Sequence, residues 1–383
     1  MSGGRPYLDY YIEQGIIPVQ QDISDLAAHF RRRAFLYRSL QIPPGAMRHA
    51  RVLEFGPGTG DNAVYVASLR PKTYVLVDGN PYSIAAVKER AADARYDFSW
   101  LDELQIIESD ILKFEDPRRF DIVLCEGVIP GQRDGKAFLR QVAGFADSDS
   151  IVVATTQSAT SMLAEVCRHL VKPVFAARGG DPGELADRLS ALFAPHLATL
   201  PGRSRVVRDW VNDNILQAWP ETLIFTIEDA IDAIGDGFDV YGTSPRFIQD
   251  FRWYKAAAVD GIALNNVARA ETAKWSPIFL DYRLDPAEFK SFDGVALERE
   301  CLAILIDVHQ AWTADDFDLC GTCVERIARL GDWIAPAFPR TAQSIRDFTI
   351  GMTGLLAGKP TGFGDFESWF GRGQQYVSFI RQG

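Results

Sequence analysis

The sequence predicts an α/β fold with a doubly wound, mostly parallel sheet, and three observations predict it. Strand-like and helix-like stretches alternate regularly from Arg51 to Thr156, the rhythm of parallel strands joined by crossover helices. A glycine-rich turn, Gly56-Pro-Gly-Thr-Gly60, joins the first strand to the first of those helices. The second strand ends in Asp78, which lies 22 residues after Gly56 (78 − 56), the spacing of the ribose-binding acid in a βαβ nucleotide unit.

Along the chain, residues 1–48 read as an N-terminal helical segment, with a helix from about Leu26 to Leu40 after Asp22-Ile-Ser-Asp25. The segment either closes as a lid, with Tyr11, Gln20 and Gln21 lining it, or simply covers one edge of the sheet. His29-Phe-Arg-Arg-Arg33 is a positive cluster suited to a phosphate or carboxylate, or to a solvated helix face. Residues 49–158 form the nucleotide-binding core, with strands near 51–55, 74–78, 104–108, 120–125 and 150–155 and helices near 60–70, 81–96 and 135–146. Asn80-Pro81 starts a helix directly after Asp78, since proline suits the first helical position. Residues 159–235 lose the strand–helix rhythm and read as a helical insertion, and 236–258 return to the sheet. Residues 259–383 read as a mostly helical C-terminal region for substrate binding or dimerisation, so a homo-oligomer is expected.

Glycine in the 56–60 turn lets a ligand press against bare backbone while the next helix points its free N–H groups at the same spot. Glu54 stands at the end of an otherwise apolar strand, where an unpaired carboxylate is costly, so a cation beside it is expected. Ser109-Asp110, after the third strand, places an acid where an adenine amino group can donate to it.

These residues resemble the class I S-adenosylmethionine-dependent methyltransferases. Val52-Leu-Glu-Phe-Gly-Pro-Gly-Thr-Gly60 is similar to their first motif and Asp78 to the acid after the second strand. Asp110 matches the adenine-side acid, and Asp121-Ile-Val-Leu-Cys-Glu-Gly127 the fourth-strand motif beside the reacting methyl. The resemblance implies a Rossmann-like core, S-adenosyl-L-methionine as cofactor, and a cofactor pocket of Glu54, Gly56, Pro57, Gly58, Gly60, Asp78, Gly79, Asn80, Asp110, Ile111 and Glu126. It also implies that Phe238-Asp-Val-Tyr-Gly-Thr-Ser-Pro-Arg-Phe247 is the sixth strand of that sheet. A dinucleotide enzyme would carry a third glycine where Asp61 stands, and its pyrophosphate would be repelled by Glu54 and Glu126. An NAD-dependent oxidoreductase and a non-catalytic assembly protein that kept the fold remain the competing readings.

The expected reaction is methyl transfer to a small polar or sugar-containing acceptor by in-line displacement. Glu126, His196 and Tyr241 are the candidate catalytic groups for removing an acceptor proton. Phe251-Arg-Trp-Tyr-Lys255 offers aromatic and cationic side chains to a sugar, planar ring or acid, or to ordinary packing. Trp369-Phe-Gly-Arg-Gly-Gln-Gln-Tyr376 suits hydrogen bonding to a polar ligand or docking of a helix.

With 40 basic against 51 acidic residues, the net charge of −11 disfavours nucleic acid as a partner. The start of the chain lacks a hydrophobic signal core, and no run approaches the ~20 apolar residues of a membrane span, so a cytoplasmic protein is expected. The five cysteines are read as reduced thiols, and Cys320-Gly-Thr-Cys323 has no second pair to complete a metal site, so no metal is expected.

Overall fold

Apolar, β-branched runs such as Thr73-Tyr-Val-Leu-Val-Asp78 have too little polarity for a solvated sheet face and build strands buried on both sides. The structure, a computed structural model, describes residues 21–203, 205–217, 223–257, 259, 263–359 and 361–382. The strands are β1 (Arg51–Phe55), β2 (Thr73–Asp78), β3 (Glu103–Glu108), β4 (Phe120–Cys125), β5 (Ala146–Thr156), β6 (Phe238–Ser244) and β7 (Gln375–Arg381). Helices of eight residues or more are α1 (Leu26–Ser39), α2 (Asp61–Ser68), α3 (Pro81–Ala92), α4 (Gly135–Ala143), α5 (Ala159–His169), α6 (Pro182–Ala198), α7 (Ile227–Ile234), α8 (Leu264–Trp275), α9 (Gly294–Ala314), α10 (Phe317–Ile334) and α11 (Pro339–Leu356).

The chain divides into two compact units: residues 1–157, 220–272 and 374–383, and residues 158–219 and 273–373. In the first, the sheet order is β3-β2-β1-β4-β5-β7-β6. Strands β1 to β5 run parallel, while β7 pairs antiparallel with both β5 and β6. The order reverses at β1, so the carboxyl ends of β1 and β4 border the crevice where such sheets bind ligands. Val52, Leu53, Phe55, Val75, Val77, Leu124, Val152 and Phe379 have no exposure and form the sheet's share of the core. On one side Tyr37, Leu40, Ile42 and Met47 join them; elsewhere in the unit Phe55, Phe114 and Phe145 pack ring on ring.

Three boundaries differ from those the sequence suggested. Helix α1, from the expected lid, belongs to the same unit as the sheet. The chain rejoins the sheet unit at 220, ahead of 236, because the backbones of Phe225 and Gln157 exchange hydrogen bonds of 3.1 and 2.7 Å and Lys136 of α4 pairs with Asp229 and Asp232 of α7. In the last stretch, where helix was expected, Gln375–Arg381 is a strand. It lies between β5 and β6, with Val377, Ser378 and Phe379 all fully buried.

The second unit is helical, with α5, α6, α9, α10 and α11 around buried Phe193, Ile304, Ile345, Phe348, Phe363, Phe366 and Trp369. Trp369 donates to the Leu280 carbonyl at 2.9 Å and Arg372 donates to the carbonyls of Ile278 and Leu284, so this cluster knits its own unit together. Cys167, Cys301, Cys320 and Cys323 are free buried thiols, and burial pushes Cys320 and Cys323 up to about 12 and 11. They stay protonated and unreactive at neutral pH.

Candidate cofactor and acceptor site

The glycine turn needs its glycines. Gly56, Gly58 and Gly60 have φ of 69°, 56° and 78°, and a Cβ on Gly56 would lie 2.3 Å from Val128 Cγ2. The turn closes through Gly60 N–H to the Pro57 carbonyl at 2.9 Å and opens α2. Asp61, the first residue of α2, is 2% exposed and accepts from the Thr59 hydroxyl at 2.6 Å, from the Gln21 amide at 3.1 Å, and from Arg90. Tyr11 and Gln20, expected beside Gln21 in a lid, lie outside the described residues.

At the end of β2, the Asp78 carboxylate accepts from the Asn80 amide at 2.8 Å, and burial pushes it up to about 6. Asn80 caps α3 by accepting from the Tyr82 amide at 3.0 Å, which fixes the Asp78-Gly79-Asn80 corner. After β3, Asp110 accepts from the Leu112 amide at 3.1 Å and caps the short turn that begins at Ile111. Glycine turn, Asp78 and Asp110 therefore stand on the carboxyl ends of three adjacent strands, β1, β2 and β3.

Glu54 has the expected cation nearby, Arg33, while its hydrogen-bond partner is the Tyr74 hydroxyl. Burial first, and then the charge of Glu126, push the Glu54 carboxyl up to about 7. Arg33, the cation nearby, is held by Glu126: one guanidinium nitrogen donates to both Glu126 oxygens at 2.7 and 2.8 Å, and Tyr37 donates to Glu126 at 3.0 Å. With both oxygens occupied, Glu126 is a poor general base, which revises its role as a catalytic candidate.

Arg33 comes from the positive cluster at 29–33, whose members the sequence could not rank. The missed signal was the spacing of His29, Arg33 and Tyr37, four residues apart and so on one face of α1. His29 is fully buried, and its Nε2 lies 2.9 Å from the Asp61 carbonyl. A carbonyl only accepts, so Nε2 carries the proton and Nδ1 is a bare acceptor; burial and Arg33 keep the ring neutral. Nδ1 of His29 and Nε of Arg33 are buried without a partner among the described residues.

The other two catalytic candidates are not in this cluster. His196, on α6 of the second unit, is 1% exposed among the rings of Phe193, Phe363 and Phe366. Burial and then Arg168 drive its imidazole down to about 3, so it is a neutral packing group. Tyr241 lies on β6, the edge strand, where the register with β7 shifts between Val240 and Gly242, and is 38% exposed. Both are corrected as bases: one is sealed in a core, and the other is three strands from β4 in the sheet order. The aromatics Phe251, Trp253 and Tyr254 are exposed, with Arg252 paired to Asp250.

The donor and acceptor set fits S-adenosylmethionine. Asp78 would take the ribose hydroxyls, Asp110 the adenine side, and the bare glycine turn the body of the cofactor. Glu54 and His29 Nδ1 suit its ammonium, and Arg33 Nε suits its carboxylate. A parallel nucleotide-binding sheet carrying acids in these places resembles the core of the class I S-adenosylmethionine-dependent methyltransferases. Residues 47–179 match the family model described as a methyltransferase domain.

Among solved structures, the chain is similar to the N-methyltransferase NodS of Bradyrhizobium japonicum in complex with S-adenosyl-L-homocysteine, at 19% identity and a TM-score of 0.28. That match covers 35% of this chain and 64% of the other, so the chain spans just under two thirds of that relative's length. It is also similar to the magnesium protoporphyrin IX methyltransferase of Synechocystis with bound S-adenosylhomocysteine, at 13% identity, covering 62% and 90% of the two chains with a TM-score of 0.37. PKMT2 of Rickettsia typhi matches at 14% identity over 64% and 49%, with a TM-score of 0.38. No curated protein matches the sequence significantly. Among the described residues, no helix is long and apolar enough to cross a membrane.

Proposed function

We propose that this chain transfers the methyl group of S-adenosylmethionine to a small polar or sugar-containing acceptor. The observation that carries the acceptor's size is a cavity of about 260 Å³ beyond the carboxyl ends of β4 and β5. It is lined among others by Ile129, Gln132 and Arg133 from the loop after β4, Gly135 at the start of α4, and Phe225, whose backbone pairs with Gln157 just past β5. It falls below the ~300–1,000 Å³ typical of drug-sized ligand pockets, which suits an acceptor no larger than a simple sugar or amino acid.

When bound, the cofactor supplies a methyl carbon open to in-line attack, with the C–S bonding pair leaving on sulfur. The chain's contribution is placement and exclusion of water. Asp78 and Asp110 fix the nucleoside end, while Arg33, Glu54 and His29 fix the amino-acid end. The Glu126–Arg33–Tyr37 lock holds the tip of β4 rigid, and Gly127 N–H ties the following loop to Thr155 Oγ1 of β5 at 2.7 Å.

Incubating the purified chain with methyl-tritiated cofactor and a panel of small hydroxylated acids, amino acids and simple sugars tests the proposal. Label is expected in one small acceptor, with stoichiometric S-adenosylhomocysteine. Label found only in macromolecules of a cell extract would sink the small-acceptor reading.

A further inference from the structure

Resting on the acceptor reading above, we propose that the acceptor carries a carboxylate and that Arg133 is the residue that selects it. The cavity's charged lining consists of Arg133, Lys136, Asp134 and Asp229. Three of these four are engaged. Lys136 Nζ sits 2.9 Å from Asp232 and 3.1 Å from Asp229, so its charge is shared between two acids. Asp134 accepts from the Ala137 amide at 2.9 Å and caps α4. Arg133 has neither a hydrogen bond nor an ion pair among the described residues, and it stands at the cavity in a chain of net charge −11.

The rest of the lining defines the ligand's other end. Ile129 is fully buried and Phe225 is 4% exposed, forming an apolar floor. The floor depends on Gly135, where a Cβ would land 2.7 Å from Phe225 Cδ2. Gln132 is steadied by donating to the Val128 carbonyl at 2.9 Å. A ligand that fits has a compact body against Ile129 and Phe225 and a single planar anion against Arg133. The guanidinium fork matches a carboxylate in two parallel N–H···O bonds, whereas the second charge of a phosphate would meet Asp134 and Asp229.

Benzoate and benzamide are a matched pair of probes, equal in shape and different in charge. Their binding to the full chain loaded with S-adenosylhomocysteine is measured by saturation-transfer NMR, with calorimetry following S-adenosylhomocysteine itself. Benzoate is expected to bind about tenfold or more tightly than benzamide. The preference should fall to about one in Arg133→Gln and return in part in Arg133→Lys, with cofactor-product affinity unchanged in both variants. A preference near one in the wild type, a preference that survives Arg133→Gln, or failure of both probes to bind would overturn the proposal while S-adenosylhomocysteine binding leaves the methyltransferase reading standing. Failure of the wild type to bind S-adenosylhomocysteine would instead take down that reading, and the proposal with it.

Discussion

Arg33 and Arg168 are both buried, and the protein neutralises them in opposite ways. Arg33, at the tips of the parallel strands, forks a carboxylate, and that pairing with Glu126 raises its pKa despite burial. Arg168, inside the helical unit, has no carboxylate within hydrogen-bonding distance among the described residues. It donates to the carbonyls of Ala164, Phe366 and Glu367 and lies over the rings of Phe370 and Phe366 at 3.8 and 4.5 Å. Burial draws its pKa down to about 10. The first arrangement gathers buried charges of both signs at the place proposed for the amino-acid end of the cofactor. The second uses a cation as a packing piece, held by dipoles and ring faces. Nε of both arginines is buried without a hydrogen-bond partner among the described residues, so neither burial of a charge nor an unmatched donor marks a site by itself; what differs is the gathering of acids around Arg33.

The comparison fails if the Arg33 end holds no ligand, and the largest expected effect tests that. Asp78→Ala should weaken S-adenosylhomocysteine binding by about a hundredfold or more, since each lost charge-assisted hydrogen bond is worth ~1.5–3 kcal/mol. Calorimetry on a variant with unchanged circular dichroism checks it, and unaltered affinity would move the cofactor elsewhere. Next, Arg33→Met leaves Glu126 buried and uncompensated, so urea unfolding should show a loss of about 3–5 kcal/mol. Adding Glu126→Gln should restore much of that loss; equal loss in the double variant would mean that the pair is not coupled.

Glu54 gives a pH signature. Its carboxyl is raised from 4.5 to about 7, so the folded chain holds that proton more tightly than the unfolded chain does. The contribution is fully present below pH 4.5 and disappears as pH rises through 7, an effect on the order of 3 kcal/mol. The stability difference between wild type and Glu54→Gln should therefore change with pH across that window. A cation at Glu54 favours the ionised form, so cofactor affinity should rise by about tenfold from pH 6 to 8 in the wild type and stay flat in Glu54→Gln. A flat wild-type profile would remove Glu54 from the ammonium site. The smallest effect sharpens the contrast: Arg168→Met should change stability by less than ~1 kcal/mol, because an apolar replacement of similar length spares the desolvation of a buried cation. S-adenosylhomocysteine affinity should not move, and a cofactor-binding defect would contradict the packing role.

The glycine turn and the strand order around it were legible because their signals are local. A positive-φ glycine turn, an acid a fixed distance on and a strand–helix rhythm are all written within short windows of sequence. Arg33 and Glu126 are 93 residues apart, so nothing local announced that the two most suggestive charges in the region would neutralise each other. His196 misled for the same reason, since two of the rings that seal it, Phe363 and Phe366, come from far along the chain. Strand β7 was missed because its apolar residues follow a glycine-rich stretch that reads as loop, and the partners that make it a strand belong to β5 and β6.

That strand also bears on how the protein folds. Thr156 donates from its hydroxyl to the Gln375 carbonyl across 219 residues of chain, and β6 gains its sheet partner only through β7. Loop closure on that scale makes the pairing a slow, high-contact-order step, and on the ribosome β1 to β5 emerge long before it can occur. The open edge of β5 in that interval, lined by Val152, Val153 and Ala154, is the place where a nascent chain would need a chaperone or risk pairing with a neighbour.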